Sequence, residues 1–275
     1  MNLRLWGTRG SIAAAGADTV RYGGDTSSVE VVSRTGDRLI LDAGSGIRSL
    51  GIELSGVDKI DILLSHLHMD HVQGLPFFVP LLDPASEVHI WGPVSTTQDL
   101  RERLSRYLSP PLFPIMVRDL ANVYFHDVPP GEFDINGVHV QADLVSHPGS
   151  TLGYRLTESG STVSYLPDHE PAMGDPGFPD LPEWTSGFDI AAGSDLLIHD
   201  AQYTDDEYLE RVGWGHTSTT QLARFSEMCE VKRVLTFHHD PSHTDEALDS
   251  QHSDLESIIE GVEVVRGTAD LVVEL

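Results

Sequence analysis

Short apolar-rich runs recur along the chain and read as strands at 2–6, 28–33, 38–42, 60–65 and 87–91. More follow at 123–126, 138–144, 152–157, 161–166, 196–199, 233–237, 262–266 and 270–274. Stretches with helical spacing lie between them, at 47–54, 72–82, 95–107, 205–212, 219–229 and 245–260. Thr217-Ser218-Thr219 and Thr244-Asp245-Glu246 offer N-cap chemistry to the last two. Many strands interleaved with helices predict an α/β fold of layered sheets with helices outside. No internal repeat or low-complexity block divides the 275 residues, so one domain over 1–275 is expected.

Charge and cysteine content narrow the setting. The chain has 17 basic and 43 acidic residues, a net charge of −26, and lysine only at Lys59 and Lys232. Such a surface repels long polyanions, because nucleic-acid affinity rests on neutralised phosphates, and no Lys/Arg run offsets it. Large nucleic acid is therefore disfavoured as a partner. Solubility is the simplest use of the charge. The single cysteine, Cys229, excludes a disulfide within the chain and reads as a packing thiol. The N-terminus lacks a long apolar core of a signal sequence, and no run reaches the ~18 apolar residues of a membrane span. The expectation is no membrane and a cytoplasmic location. Two proline-rich segments, 108–116 and 171–187, read as binding rims or as plain surface cover.

The densest chemistry is Ser65-His66-Leu67-His68-Met69-Asp70-His71, directly after the buried-strand pattern 60–64. Strand ends are where α/β proteins build sites. Residues i and i+2 of an extended segment face the same way, so His66 and His68 can grip one cation. The following turn lets Asp70 and His71 grip a second. Imidazole and carboxylate suit zinc, manganese or iron.

The spacing His-x-His-x-Asp-His resembles the signature of the metallo-β-lactamase superfamily. The resemblance extends along the chain, through Leu41-Asp42-Ala43-Gly44, Ser146-His147-Pro148-Gly149, Leu166-Pro167-Asp168 and the strand end Phe237-His238-His239. It implies a four-layer αββα sandwich with two divalent metal ions at one edge between the sheets. Zinc is the expectation, with manganese or iron also compatible. On the family pattern His66, His68 and His147 take one ion, Asp70, His71 and His238 the other, and Asp168 bridges. His238, the first residue past its strand, is preferred over His239. Asp42 would orient a ligand rather than bind. The resemblance leaves a homodimer open.

A second constellation narrows the reaction. Ile198-His199-Asp200-Ala201 and Gly213-Trp214-Gly215-His216-Thr217-Ser218 resemble paired motifs of ribonuclease Z and its phosphodiesterase relatives. The resemblance implies that Asp200 holds His216, which protonates the leaving alkoxide. General-acid help of this kind is worth typically ~10²–10⁴-fold. One departure is that the acidic residue of ribonuclease Z is Glu, and here it is Asp. Asp70, Asp200 and His216 are thus the catalytic candidates. Thr8, Arg9 and Ser11, in a stretch resembling the same branch, could contact a phosphate or simply pack beneath the site.

Tyr107, Phe113 and Trp214 could stack on a base or belong to the core. His89, His126 and His139 read as structural, His169 and His239 as neighbours of ligands, and His243 and His252 as surface residues. The expected function is hydrolysis of a small phosphodiester, such as a cyclic nucleotide or cyclic ribose phosphate, by a metal-bridging hydroxide. The alternatives are a ribonuclease Z-like RNA-processing nuclease and a non-hydrolytic sensor or scaffold. The last would show a degenerate ligand set, and none of the seven positions is degenerate.

Overall fold

In a computed structural model describing residues 1–172, 174 and 177–275, the strands form two seven-stranded sheets. The first sheet holds β1 (Asn2–Gly7), β2 (Ser28–Val32), β3 (Arg38–Leu41), β4 (Lys59–Leu63), β5 (Glu87–Pro93), β6 (Val123–Val128) and β14 (Val272–Glu274), in the order β14-β1-β2-β3-β4-β5-β6. The second holds β7 (Gly131–Ile135), β8 (Val138–Leu144), β9 (Leu152–Glu158), β10 (Ser161–Leu166), β11 (Leu196–Asp200), β12 (Arg233–Phe237) and β13 (Glu263–Val265), in the order β13-β12-β11-β10-β9-β8-β7. Strands β3 to β6 run parallel, as do β10 to β13.

Alternation along the strands builds the layers. Leu39 and Leu41 face the core between the sheets, with Leu196, Ile198, Val163 and Tyr165. Their neighbours Ile40, Leu197 and Leu166 face outward onto helices. The outer face of the first sheet is covered by α1 (Ile47–Glu53), α2 (Met69–Val72), α3 (Val79–Leu82) and α4 (Leu100–Ser105), through Leu50, Val72, Leu81 and Leu104 among others. Helices α5 (Phe188–Ala191), α7 (Thr219–Met228) and α8 (Asp245–Ile258) cover the second, with Ile190, Phe225 and Leu255; α6 (Asp205–Leu209) precedes α7. Each fully buried Leu, Ile or Phe contributes about 1.5–3 kcal/mol. The result is an α/β sandwich of the metallo-β-lactamase type, helix–sheet–sheet–helix. Among the described residues, no helix is long and apolar enough to cross a membrane.

Several elements differ from the sequence expectation. The helix expected over 72–82 is broken into α2, a 3₁₀ turn at Leu75–Phe77 and α3, because Pro76 and Pro80 lack the N–H that a continuous helix requires. The helix expected over 95–107 begins only after Asp99, whose carboxylate caps the Glu102 N–H. Strand β7 was not expected. It pairs with β8 through Asn136-Gly137, both at positive φ, the turn chemistry that joins two-residue hairpins. The two expected helix starts are present, with Ser218 accepting from Gln221 N and Thr244 from Ala247 N.

Candidate active site

The parallel strands β3, β4, β10, β11 and β12 all end at one edge; Asp200 is the last residue of β11, and the loops leaving the other four carry Asp42, His66, Asp168 and His238. His147 arrives from the loop after β8, and Asp70 and His71 from α2. These side chains gather into two adjoining groups. The first is His66, His68, His147 and Asp168; the second is Asp70, His71, Asp168 and His238. Asp168 belongs to both. Its Oδ2 lies 3.7 Å from His66 Nε2 and 3.6 Å from His147 Nε2, while its Oδ1 lies 3.0 Å from His71 Nε2 and 3.2 Å from His238 Nε2. Asp70 Oδ2 is 3.2 Å from His71 Nε2 and 3.1 Å from His238 Nε2.

The tautomers are set from outside the groups. Asp42 Oδ2 accepts from His71 Nδ1 at 2.7 Å, Gly215 O from His147 Nδ1 at 2.8 Å, and Gln202 Oε1 from His238 Nδ1 at 2.9 Å. Asp42 is itself held by Ser65 N, Ser65 Oγ and Tyr165 OH. With Nδ1 carrying the proton, each of these rings turns an unprotonated Nε2 inward. Lone pairs then face one another, as at His71 Nε2 and His238 Nε2, 3.3 Å apart.

Cations fit this arrangement. A tetrahedral site with zinc bonds of ~2.0–2.1 Å spaces its donor atoms about 3.3 Å apart, close to the separations observed. His66 Nε2 and Asp168 Oδ1 are buried without a hydrogen-bond partner. Burial opposes a charge on His71, but Asp168, Asp70 and Asp42 outweigh it and raise its pKa well above the ordinary histidine value, a charge balance that a cation would take over. Although burial opposes its ionisation, His238, His71 and His66 hold the Asp168 carboxyl well below the usual carboxylate range. Burial, with His71 nearby, pushes His66 well below the ordinary histidine pKa and keeps it a neutral donor.

The acidic partner of His216 sits at the end of β11. Asp200 Oδ2 accepts from His216 Nδ1 at 2.7 Å, and its Oδ1 accepts from Gln202 N at 2.9 Å and Thr217 N at 3.2 Å. The His216 ring stacks on His238 at 5.2 Å and meets His147 edge-on at 5.0 Å, so it adjoins both groups. Burial opposes a charge on His216, but Asp200 outweighs it and raises the pKa above the usual value. The shorter Asp arm thus reaches the ring.

Backbone conformation is unusual at this edge. Asp42 and His238 adopt left-handed φ values of 59° and 57°, a conformation that costs a non-glycine residue roughly 1 kcal/mol or more and clusters at functional sites. Gly10 packs against the His238 ring, where a Cβ would come within 2.4 Å of it.

Some sequence expectations change. Arg9 does not present its guanidinium to the site: it is fully buried and donates to Gly23 O, Asp240 O and His243 O. Thr8 donates to Tyr22 O. This stretch acts through Ser11 N, which donates to Asp70 Oδ2 at 2.7 Å. His239 points away from the two groups and bonds Gly267 O at 2.8 Å. His243 and His252 are buried, not at the surface: His243 pairs with Glu207, and His252 lies on the inward face of α8 with Leu248, Gln251 and Leu255. Trp214 is exposed, whereas Tyr107 is half-buried with its OH bonded to Gln73 O. Within the 171–187 segment, residues 173, 175 and 176 lie outside the described residues.

The sequence reading passed over Glu170. It is buried, and its carboxylate accepts from Gly213 N at 2.8 Å, Gly215 N at 2.9 Å and Tyr208 OH at 2.7 Å. It thereby fixes the loop that offers Gly215 O to His147 and His216 to Asp200. Gly215 has φ +88°, and a Cβ there would lie 2.4 Å from Pro148 and 2.5 Å from His147 Nδ1. The glycine was legible as a turn signal, but the Glu170 contact, across 43–45 positions, left no local mark.

Residues 37–239 match the family model described as a beta-lactamase superfamily domain. A ribonuclease Z from Halorubrum lacusprofundi is 26% identical over 251 residues, covering 75% of this chain and 78% of that protein. The metallo-beta-lactamase fold protein YhfI from Bacillus subtilis superposes with a TM-score of 0.73 at 17% identity, covering 100% of this chain and 98% of the other. A diphosphatase from the PhnP family superposes with a TM-score of 0.68 at 18% identity, covering 100% and 97%. The two solved structures share the fold.

Proposed function

This chain belongs to the beta-lactamase superfamily, and from that membership we propose that it is a dinuclear metal-dependent phosphodiesterase acting on a small phosphodiester. Metal-dependent hydrolysis is the coarser statement, and the relatives named ribonuclease Z and diphosphatase support it. His66, His68 and His147 would hold one ion, Asp70, His71 and His238 the second, with Asp168 shared. Two such cations, when bound, lower the pKa of a shared water and neutralise charge on the phosphoryl oxygens.

The observation that carries the phosphodiester reading is the 2.7 Å bond between Asp200 and His216 beside both groups. With Nδ1 committed to Asp200, Nε2 of His216⁺ is the atom free to give up a proton. As the P–O bond to the leaving oxygen breaks, that oxygen takes the proton and leaves as an alcohol. An alkoxide without such help is a poor leaving group. The net charge of −26 favours a small substrate over a structured RNA.

The test is hydrolysis of bis(p-nitrophenyl) phosphate and of an alkyl phosphodiester by protein reconstituted with zinc or manganese. Asp70→Ala should abolish both activities. His216→Ala should keep both ions and lose most turnover of the alkyl ester. Full activity of His216→Ala on that ester would remove the general acid from the mechanism. No hydrolysis of either ester by protein holding two ions would set the phosphodiester reading aside.

A further inference from the structure

A groove of about 650 Å³ opens beside the first group, with His66 and His68 in one wall and Pro148, Gly149 and Ser150 next to them. Its size falls within the ~300–1,000 Å³ of pockets that enclose whole organic ligands, more than a phosphoryl group needs. Leu67, Met69, Val72, Leu104, Tyr107 and Leu112 make much of the lining apolar. Met69 and Leu112 are 51% and 68% exposed, an open apolar surface continuous with the site. Such a lining suits a planar hydrocarbon or aryl substituent.

Two arginines join this lining, in a chain where acids outnumber bases 43 to 17. Arg103 is occupied structurally, bonded to Pro93 O and to Asp127 at 3.2 Å. Arg106 differs. It is exposed and bonded to the neutral Gln98 Oε1, and among the described residues no carboxylate lies within ion-pair distance of it. An arginine with no carboxylate partner among the described residues, lining an apolar groove beside the candidate site, is suited to contact an anion.

We propose that this groove binds one substituent of the substrate, a planar apolar group carrying a second anion, and that Arg106 recognises that anion. The proposal rests on the phosphodiesterase reading and narrows its substrate class to diesters with a remote carboxylate or phosphate. Arg106 is then a specificity residue that acts on binding and not on the bond broken.

Two matched pairs test it. The first is 4-carboxyphenyl p-nitrophenyl phosphate against phenyl p-nitrophenyl phosphate, followed as kcat/KM on metal-loaded protein. The second is 4-carboxybenzylphosphonate against benzylphosphonate, followed as Kd by calorimetry. Wild type should favour the carboxylated member by up to about fivefold, the upper end for one exposed ion pair, mostly through KM. Arg106→Ala should bring the ratio toward one, and Arg106→Lys should recover part of it. Equal ratios in wild type and Arg106→Ala, or no preference in wild type, would overturn the assignment. If neither ester turns over, the phosphodiesterase reading fails, while the phosphonate ratio still decides the role of Arg106.

Discussion

Replacing Asp200 by Asn separates the role of the carboxylate from that of its shape. Among the described residues, four groups hydrogen-bond to Asp200 and all are donors: His216 Nδ1 at 2.7 Å and His169 N at 3.4 Å on Oδ2, Gln202 N at 2.9 Å and Thr217 N at 3.2 Å on Oδ1. Asn has one acceptor oxygen, so either orientation of the amide sets N–H against N–H. If the oxygen stays with Gln202 and Thr217, His216 loses its charge-assisted bond, worth about 1.5–3 kcal/mol. At 1.4 kcal/mol per tenfold, turnover limited by the general acid should fall roughly 10- to 150-fold. The pH profile should move as well. Asp200 holds the His216 pKa above its ordinary value, so the acid form persists to higher pH in wild type. Without that charge the alkaline limb should shift to lower pH. The assay is kcat against pH for the p-nitrophenyl and alkyl diesters, with metal content measured in parallel. The deficit should be larger for the alkyl ester, whose leaving oxygen is the stronger base. An equal deficit for both esters, with an unmoved limb, would make Asp200 a structural bracket and refute the reasoning.

Metal content gives a second expectation: His71→Ala should lose at least one ion per chain, whereas His239→Ala, which removes the ring bond to Gly267 O, should keep both and lose about 1–3 kcal/mol of stability in urea unfolding. Gly215→Ala forces a Cβ to 2.5 Å from His147 Nδ1 at φ +88°, so it should lower both metal affinity and kcat, measured by chelator competition and turnover. Glu170→Gln leaves one acceptor oxygen for Gly213 N, Gly215 N and Tyr208 OH, and should lower kcat with KM little changed. Acid should also weaken the fold: burial pushes His199 down to about 4, so the unfolded chain binds a proton that the folded chain refuses. Stability from this group is complete above the unfolded value of ~6.5 and is lost as pH falls towards 4, amounting to about 2 kcal/mol by pH 5. Urea unfolding at pH 7.5 and pH 5 reads this loss, and His199→Gln should flatten it.

What could be read from the sequence depended on how far apart the cooperating residues lie. His66, His68, Asp70 and His71 were legible because one strand end and one turn set their directions. His147, Asp168 and His238 were legible through the family resemblance; Asp168 and His238 follow the parallel strands β10 and β12, whose ends share one edge, while His147 lies in the loop after the antiparallel strand β8. The choice of His238 over His239 followed from the same rule, since the first residue past β12 turns inward at φ 57° and the next faces Gly267. Strand β7 should have been legible from Asn136-Gly137, but its Gly131-Glu132-Phe133-Asp134-Ile135 carries too few apolar residues to stand out as a run.

Arg9 was left open between two roles and Glu170 was missed for one physical reason. A charged residue in a sequence looks solvated or catalytic, and only the fold shows that its partners are backbone groups from distant segments. Arg9 donates to three carbonyls and Glu170 accepts from two amides, so each charge stabilises a loop and never meets substrate. The groove obeys the same logic in reverse. Leu67, Leu104 and Leu112 carry no chemistry that a motif could report, yet they line one groove together with His66, His68 and Arg106. The candidate site in this chain was therefore legible in short-range spacing at strand ends, while the groove beside it is built by long-range packing of side chains that no local pattern marks.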